Sequence, residues 1–312
     1  MKVLVTGGAG FIGSNLVKTL LANGEEVSII DNFSSGFKNN LPPMSDVNFV
    51  QGDIRDSASV EKAVQGVDVI YHLAASVGSK RSIEDPFADA DINVMGTLNI
   101  LEAARKYHVR KIIISSSAGI FGELKTLPID EDHAVEPRTP YACSKLYAEK
   151  IALAYADLYD IEAVCLRYFN VYGPRQSFDA YGNVIPIFMF RMLRGEPLHV
   201  YGDGDQTRDF VNVHDVIQAN IKSAYATGLS GVFNIASGTH ITINRLIAKL
   251  ATVSGIKPAI ELKPPRPGDV RDSLANISAA QKAFGYCPSI DLQNGLKEYF
   301  QWAESEVSTV VV

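Results

Sequence analysis

A glycine-rich stretch near the N-terminus constrains the fold more than any other feature of the sequence. Residues 3–13 read VLVTGGAGFIG, and they place Gly7, Gly10 and Gly13 directly between an apolar run and an amphipathic helical pattern. Glycines there let the turn close, let the backbone approach an anion and let the helix pack tightly. The start of the helix also offers free N–H groups and the positive end of its dipole. The stretch predicts a dinucleotide-phosphate site, although an isolated glycine turn is also compatible with an ordinary connection.

The first half of the chain alternates short apolar runs with amphipathic stretches. Runs such as KVLVTG, EEVSIID, VDVIYHLA and RKIIISSS are bounded by Gly, Asp or Ser, which is typical of strands buried on both faces. Strand followed by helix, repeated, means a parallel sheet covered by helices on both sides. We therefore predict an α/β fold of the Rossmann type, with a doubly wound parallel sheet.

The second half of the chain lacks this regular alternation of apolar runs and amphipathic stretches. After about residue 168 the chain becomes rich in Pro, Gly and Asp, as in YGDGDQTRDF and KPPRPGDVRDS, which predicts long binding loops on a smaller C-terminal substrate-binding α/β lobe. Residues 1–168 are expected to form the dinucleotide-binding domain and residues 169–312 the second lobe. The run GVFNIAS is strand-like, so we expect part of the segment 210–237 to return to the first sheet.

Composition excludes several classes of protein. The chain has 312 residues and a net charge of −6, without a sustained Lys/Arg run, which argues against a nucleic-acid partner. Its three cysteines lack CxxC spacing, so neither a disulfide framework nor a metal site is predicted. No signal-peptide pattern and no apolar stretch of roughly 18 residues is present, so no membrane segment is expected. These features favour a cytoplasmic protein.

An acidic residue indicates which dinucleotide the loop binds. Asp31 ends the run VSIID, at about the 20-residue distance where an acid hydrogen-bonds the adenosine ribose. Its carboxylate would repel a ribose 2′-phosphate, so NAD is favoured over NADP. Phe11 and Ile12, at the start of the helix, and Asn32, next to Asp31, are further cofactor-binding candidates.

The next strand ends in QGDIRD and supplies two more candidates. Asp53 is placed to meet the adenine, together with Ile54. An aspartate that caps the turn is the alternative interpretation of this position.

Two motifs in the middle of the chain carry hydroxyl and amine side chains of the kinds that act in acid–base catalysis. Tyr141 and Lys145, in YACSK, are four residues apart and share one helical face, which an ordinary helix surface would also explain. The strand RKIIISSS opens into three serines, and ligands of open α/β sheets bind beyond the carboxyl ends of the strands. Serines at such places also often satisfy only backbone groups.

With these motifs in this order, the chain closely resembles the extended short-chain dehydrogenase/reductase family. Within it the match is to nucleotide-sugar epimerases of the UDP-glucose 4-epimerase type. The resemblance covers essentially the whole chain, through GGAGFIGS, GDIRD, NVMGTLNILEAA, SSSAGIFG, YACSK, RYFNVYGPRQ, YGDGDQTRDFVNVHDV and RPGDVRDS. It implies a tightly bound NAD, a UDP-sugar substrate and a homodimer formed by the helices near 86–107 and 140–158. An apolar face on these helices is also compatible with burial within one chain.

The resemblance assigns roles to individual residues. Ser117, Tyr141 and Lys145 match the family's catalytic triad, with Tyr141 as the base. A free tyrosine has a pKa of about 10, and an ammonium one turn away lowers it by stabilising the phenolate. Lys145 also matches the residue that holds the nicotinamide ribose. Asn93 matches the asparagine of the family's long helix, and Lys80 is the best match to a cofactor-contacting lysine.

The second lobe resembles a site for a nucleoside diphosphate. Arg208 and Arg266 match the family's pyrophosphate-binding arginines, Asp269 matches an acid that meets the uridine ribose, and Tyr201 matches an aromatic residue that stacks on uracil. Ser273 aligns with a bulky tyrosine of narrow-specificity enzymes. A serine there would leave room for an N-acetyl group.

Departures from the family pattern bear on the reaction. Sugar 4,6-dehydratases carry Thr-Asp-Glu where this chain has Ser117, Ala118 and Gly119, so the acid that expels water is missing. Epimerases that act on UDP-glucuronate usually have threonine in place of Asn170 and an arginine where this chain has Ser177. The resemblance therefore implies an isomerase that interconverts UDP-glucose and UDP-galactose, and the corresponding N-acetylated pair, through a 4-keto intermediate.

Three alternatives stay open from the sequence. They are a UDP-glucuronate 4-epimerase, a decarboxylase, and a non-catalytic NAD-sensing regulator. Gly119 either widens the sugar pocket or relaxes a turn. No role is predicted for Cys143 or Ser144.

Overall fold

The structure is a computed structural model that describes residues 1–178, 182–265 and 270–310. Its centre is a seven-stranded parallel sheet in the order β11-β6-β5-β4-β1-β2-β3, and the predicted fold class is confirmed. The strands of this sheet are β1 (Lys2–Thr6), β2 (Glu26–Asp31), β3 (Asn48–Gln51), β4 (Val69–His72), β5 (Lys111–Ser117), β6 (Glu162–Tyr168) and β11 (Gly231–Ile235).

Helices cover both faces of this sheet. In β1 the side chains of Val3 and Val5 enter one hydrophobic cluster and Leu4 enters the other, and all three are fully buried. This two-sided burial explains why the strand is apolar at successive positions. The helices of the first half are α1 (Phe11–Ala22), α2 (Ser57–Val64), α3 (Ser79–Glu84), α4 (Pro86–Ala90), α5 (Gly96–Lys106) and α6 (Pro140–Leu158).

The region predicted as one long helix near 86–107 is interrupted. Between α4 and α5, residues Asp91–Met95 form a π-helical turn. Such wider turns occur often at functional sites, and this one contains Asn93.

Within its described residues, the second half adds three two-stranded sheets and a third hydrophobic cluster. Strand β11 leaves this half and pairs in parallel with β6 of the large sheet. The domain boundaries at 168 and 169 stay predictions. The remaining strands are β7 (Asn170–Tyr172), β8 (Leu198–Tyr201), β9 (Thr207–Arg208), β10 (Phe210–Asn212), β12 (Ile241–Thr242) and β13 (Ile260–Lys263). The remaining helices are α7 (Val184–Leu193), α8 (Val213–Tyr225), α9 (Ile243–Ser254), α10 (Ser278–Phe284) and α11 (Leu292–Val310).

Candidate active site

The glycine loop has the geometry of a phosphate cradle. Gly7 has a φ of 70°, in the left-handed region that favours glycine. A Cβ atom on Gly13 would lie 2.1 Å from the Gly7 carbonyl oxygen, so α1 approaches the loop at a distance that only glycine permits. Gly10 precedes α1 without a side-chain cap, which leaves the first N–H groups of the helix, at Phe11 and Ile12, available to an anion. The loop therefore fits a dinucleotide pyrophosphate.

Asp31 is fixed at the carboxyl end of β2. Its Oδ2 accepts a hydrogen bond from the Ala9 N–H at 2.9 Å, and its Oδ1 accepts from the Phe33 N–H at 2.7 Å. A carboxylate oxygen accepts more than one hydrogen bond, so both oxygens can still bind ribose hydroxyls. The same backbone contacts hold the acid against the glycine loop.

Asp53 caps a turn, which was one of the two interpretations of its motif. It accepts from the backbone N–H of Arg55 at 2.9 Å and from its guanidinium at 2.8 Å, and from Asn32 Nδ2 at 2.7 Å. The hydrogen bonds from Arg55 lower the pKa of Asp53 to about 2. Ile54 is buried, and a contact of Asp53, Asn32 or Ile54 with the adenosine stays a prediction.

Ser117 ends β5 and begins a short 3-10 turn at residues 118–121. Its Oγ accepts a hydrogen bond from the Gly119 N–H at 3.1 Å, so its own hydroxyl hydrogen can be donated elsewhere. Gly119 does not have a positive φ, and a Cβ atom there would meet only Ser117 Oγ, at 3.3 Å. The turn therefore does not require glycine, and the missing side chain leaves space beside Ser117.

Tyr141 lies in the first turn of α6. Thr139 caps this helix by accepting from the Ala142 N–H at 3.2 Å, and Pro140 occupies the first helical position, where its missing N–H has no cost. Burial raises the pKa of Tyr141 to about 12, and a hydrogen bond with Ser117 opposes this shift. The structure thus brings Tyr141 and Ser117 together, as the resemblance implies.

Lys145 lies one helical turn beyond Tyr141, with its Nζ 6.0 Å from the centroid of the tyrosine ring. Burial lowers the pKa of Lys145 to about 8. The Nζ donates to the Ser115 carbonyl oxygen at 2.9 Å. At neutral pH the protein alone therefore holds a charged lysine beside a protonated tyrosine, and further positive charge is needed to form the phenolate.

Asn93 is buried in the π-helical turn and is fully engaged by the protein. Its Oδ1 accepts from the Ser76 N–H at 2.8 Å, and its Nδ2 lies within hydrogen-bond distance of Ser76 O, Asp89 Oδ1 and Ser144 Oγ, at 3.0, 3.0 and 3.1 Å. Sequence reasoning gave no role to Asp89 or Ser144. The spacing of Asp89 and Asn93, one helical turn apart, was the available signal.

Lys80 lies on the exposed face of α3. Its Nζ is 3.9 Å from a carboxylate oxygen of Glu84, and its side chain is largely exposed. A cofactor contact of Lys80 stays a prediction.

Several candidates for substrate binding lie in the second lobe. Arg208 Nη1 donates to the Thr207 carbonyl oxygen at 2.8 Å, and the buried Ser273 approaches Thr207 Oγ1 with its N–H at 3.4 Å. Ser273 therefore lies next to β9, the strand that carries Arg208. Tyr201 ends β8 and is partly exposed. Arg266 and Asp269 lie outside the described residues.

A buried acid that sequence reasoning missed organises this region. Asp209 accepts hydrogen bonds from Ser237 Oγ at 2.7 Å, from the Gly238 N–H at 3.2 Å and from the Ala275 N–H at 3.3 Å. Its carbonyl oxygen accepts from Asn170 Nδ2 at 3.0 Å. Because Asp209 follows Arg208, these bonds fix the backbone from which the arginine extends.

The described part of the chain holds neither a metal-binding cluster nor a membrane-spanning helix. Among residues 1–178, 182–265 and 270–310, no group of three or more His, Cys, Asp or Glu side chains is placed to hold a metal ion. Within the same ranges, no helix is both long and apolar enough to cross a bilayer.

A family model described as GDP-mannose 4,6 dehydratase matches residues 4–299. The chain belongs to the extended short-chain dehydrogenase/reductase family. A putative UDP-glucose 4-epimerase of Methanocaldococcus jannaschii is 41% identical over 309 residues, which cover 98% of this chain and 100% of the relative.

Solved structures of family members share the fold. The UDP-glucose 4-epimerase of Thermotoga maritima, solved with UDP-glucose, has a TM-score of 0.94 at 38% identity and covers 98% of this chain and 100% of its own. The UDP-N-acetylglucosamine 4-epimerase of Methanobrevibacter ruminantium, in complex with UDP-N-acetylmuramic acid, has a TM-score of 0.94 at 36% identity, with 98% of both chains covered.

The predicted cofactor, NAD, is confirmed by structures of family members that contain it. The UDP-glucose 4-epimerase of Thermus thermophilus was solved in complex with NAD. It has a TM-score of 0.89 at 37% identity and covers 97% of this chain and 99% of its own.

Proposed function

We propose that this protein is a NAD-dependent UDP-hexose 4-epimerase that interconverts UDP-glucose and UDP-galactose. The observation that carries the proposal is the joining of Ser117, Tyr141 and Lys145 at the carboxyl end of β5, with Ala118 and Gly119 in place of a dehydratase's acid pair. A regulator without catalysis has no need of all three groups.

The residues of the glycine loop, Asp31 and Lys145 would hold NAD. When bound, NAD supplies an acceptor for the hydride at C4 of the sugar and a positive charge near Tyr141. With NAD bound, its positive charge and the Lys145 ammonium would together favour the phenolate and so would lower the raised pKa of the buried Tyr141. Tyr141 then takes the proton of the C4 hydroxyl, and Ser117 donates a hydrogen bond to the same oxygen.

The stereochemical outcome depends on the second lobe. A 4-keto sugar that turns about its pyrophosphate presents its other face for return of the hydride, and Tyr141 gives back the proton. Arg208 would hold the pyrophosphate through charge-assisted hydrogen bonds, which keeps the intermediate in the site while it turns. Hydride and proton are both returned, so the reaction has no net redox change.

We also propose that the N-acetylated pair, UDP-GlcNAc and UDP-GalNAc, is accepted. The support is the small side chain of Ser273, whose backbone N–H approaches Thr207 Oγ1, and the occurrence of a UDP-N-acetylglucosamine 4-epimerase among the similar structures. The family also contains a UDP-glucuronate 4-epimerase that is 32% identical and a uronate decarboxylase that is 33% identical. Against these reactions, the chain has Ser177, not an arginine, where a uronate would need a counter-charge.

We propose further that the protein is a cytoplasmic homodimer. Phe87 on α4 and Leu158 at the end of α6 are 87% and 70% exposed, and large apolar side chains at such exposure favour a partner surface. The two helices pack on each other within one chain, so a second copy would complete a four-helix arrangement. Light scattering of the wild type and of Phe87→Asp tests this proposal. We expect the mass of a dimer for the wild type and the mass of a monomer for Phe87→Asp. A monomeric wild type would contradict the proposal.

The test of the reaction is direct. Purified protein is incubated separately with UDP-glucose, UDP-GlcNAc and UDP-glucuronate, without added cofactor, and products are followed by NMR. We expect the C4 epimers of the first two and no change of the third. Turnover of UDP-glucuronate alone would replace this proposal with one of the uronate reactions.

A further inference from the structure

A buried carboxylate lies against the helix that carries Tyr141 and Lys145. Asp89, on α4, is only 2% exposed. Its Oδ1 accepts a hydrogen bond from Asn93 Nδ2 at 3.0 Å. Burial raises its pKa, while hydrogen bonds with Ser144 and Asn93 and the charge of Lys145 oppose this shift. The acid has no partner of opposite charge in direct contact among the described residues, which makes it costly to keep there.

The hydrogen bonds around Asp89 join three parts of the chain. Asn93 binds both backbone groups of Ser76, which follows β4, and its Nδ2 also approaches Ser144 Oγ at 3.1 Å. The Ser144 hydroxyl also lies within hydrogen-bond distance of the Tyr141 carbonyl oxygen, at 3.0 Å. Since Ser144 lies between Tyr141 and Lys145, a shift of this network would move both catalytic side chains.

The charge of Asp89 acts on the same pair. Burial is the largest influence on both catalytic groups, and it lowers the pKa of Lys145 and raises that of Tyr141. The negative charge of Asp89 raises both pKa values. It therefore opposes the effect of burial on Lys145, and it makes Tyr141 harder to ionise.

Other charged groups on the elements around Asp89 are engaged elsewhere. On α3, Lys80 pairs with Glu84 at the surface and Arg81 donates to the Val77 carbonyl oxygen. Asp91, in the π-helical turn, pairs with Arg55 at 3.0 Å. On α6, Glu149 is held by Arg167, and Lys150 is exposed.

We propose that Asp89 is a positioning residue of the acid–base site, whose buried carboxylate holds Asn93 and Ser144 in place behind Tyr141 and Lys145 and sets a negative charge near both. Its catalytic consequence rests on the proposed epimerase function, whereas its effect on Lys145 does not. This role in the active site accounts for the presence of a buried acid that costs stability.

A substitution that removes the negative charge of Asp89 but keeps the shape of its side chain distinguishes an electrostatic role from a packing role. Asp89→Asn retains the size of the side chain and an oxygen that can accept from Asn93. Without the negative charge, Lys145 should lose its proton at lower pH, by roughly one unit. Activity that needs the charged lysine should then fall at lower pH as well, so the loss relative to the wild type should be larger at pH 8 than at pH 6.

The primary measurement is an NMR titration of lysine side chains with ¹³C at Cε, in wild type, Asp89→Asn and Asp91→Asn, with Lys145→Met to assign the signal. We expect a lower Lys145 midpoint in Asp89→Asn and an unchanged midpoint in Asp91→Asn, which removes an exposed acid two residues away. An unchanged midpoint in Asp89→Asn would overturn the proposal. This result does not depend on any substrate, so absence of epimerase activity in the wild type would count against the proposed function alone.

The second measurement is the pH profile of turnover. A uniform loss of kcat in Asp89→Asn at all pH values would indicate a merely structural acid and contradict the proposal. If circular dichroism shows that Asp89→Asn does not fold, Asp89→Glu takes its place. Because Asp89→Glu keeps the negative charge, the alkaline limb of its pH–rate profile should lie at the same pH as in the wild type, although kcat falls. A shift of that limb would refute the proposed role of Asp89.

Discussion

The Lys145 ammonium donates a hydrogen bond to the Ser115 carbonyl oxygen at 2.9 Å, and this bond joins α6 to β5. The same strand ends two residues later in Ser117, which hydrogen-bonds Tyr141. The lysine, the tyrosine and the serine are therefore positioned against one rigid strand end. The relative placement of the three groups follows from the sheet and not from a mobile loop.

Replacement of Tyr141 by phenylalanine should abolish most turnover but not cofactor binding. The ring and its packing remain, and only the group that moves the proton is lost, which typically costs 10²–10⁴-fold. Turnover is measured by NMR and bound NAD by absorbance after denaturation. Tyr147→Phe, on the same helix, is the matched control and should retain wild-type turnover. Comparable turnover in both variants would remove Tyr141 from the mechanism.

Two glycines of the phosphate loop should respond differently to alanine. A Cβ atom on Gly13 would lie 2.1 Å from the Gly7 carbonyl oxygen, whereas one on Gly10 would lie 3.2 Å from it. Gly13→Ala should therefore displace α1, with a loss of about 1–3 kcal/mol in the free energy of unfolding, and it should lose bound NAD. Gly10→Ala should be destabilised less. Thermal unfolding of both variants checks the order, and equal losses would show that the close approach of the helix is not what requires glycine.

Enlargement of Ser273 should separate the two pairs of substrates. Ser273→Tyr is expected to retain turnover of UDP-glucose and to lose turnover of UDP-GlcNAc, because the larger ring fills the space proposed for the N-acetyl group. Ser273→Ala, which keeps the side chain small, should accept both. Initial rates on each sugar give the ratio; an unchanged ratio in Ser273→Tyr would place the N-acetyl group elsewhere.

The buried His72 should make stability depend on pH. It lies between Thr6 Oγ1, at 2.9 Å, and Thr97 Oγ1, at 3.0 Å, and Thr97 donates to the Asn93 carbonyl oxygen. Since that hydroxyl hydrogen is committed, His72 donates from Nε2 and accepts at Nδ1. Burial lowers its pKa to about 3, below the value of about 6.5 in an unfolded chain.

The unfolded chain thus binds a proton at this histidine below pH 6.5 while the folded protein does not. Stability from this group is present above pH 6.5 and is lost as pH falls toward 3, by about 1.4 kcal/mol per unit. Urea unfolding at pH 7 and pH 5 should show a smaller drop for His72→Gln than for the wild type. Equal drops in the two proteins would exclude His72 as the source.

The sequence was sufficient for the parts of the site that follow from repeated local patterns. The run VSIID is a strand end, and its distance from the glycine loop places Asp31 beside that loop, where the structure has it. YACSK has helical spacing, so Tyr141 and Lys145 share a face. These inferences need only strand and helix geometry.

Contacts between distant segments could not be inferred in this way. The π-helical turn at Asn93 depends on Thr97, His72 and Ser76, which come from three segments, and no local pattern distinguishes it from an ordinary helix. The role of Ser144 depends on Asp89, 55 positions earlier in the chain. Asp209 organises loops that lie far from it in sequence, and no local pattern shows that its carboxylate would accept hydrogen bonds from residues 237, 238 and 275.

The central claim is that one hydride leaves C4 and returns to it within a single active site. The most direct test is turnover of UDP-glucose that carries deuterium at C4 of the glucose unit, in ordinary water and without added NAD, with the product analysed by NMR and mass spectrometry. We expect UDP-galactose that retains the deuterium at C4. Protium at C4 of the product, or a product that is dehydrated or decarboxylated, would contradict it.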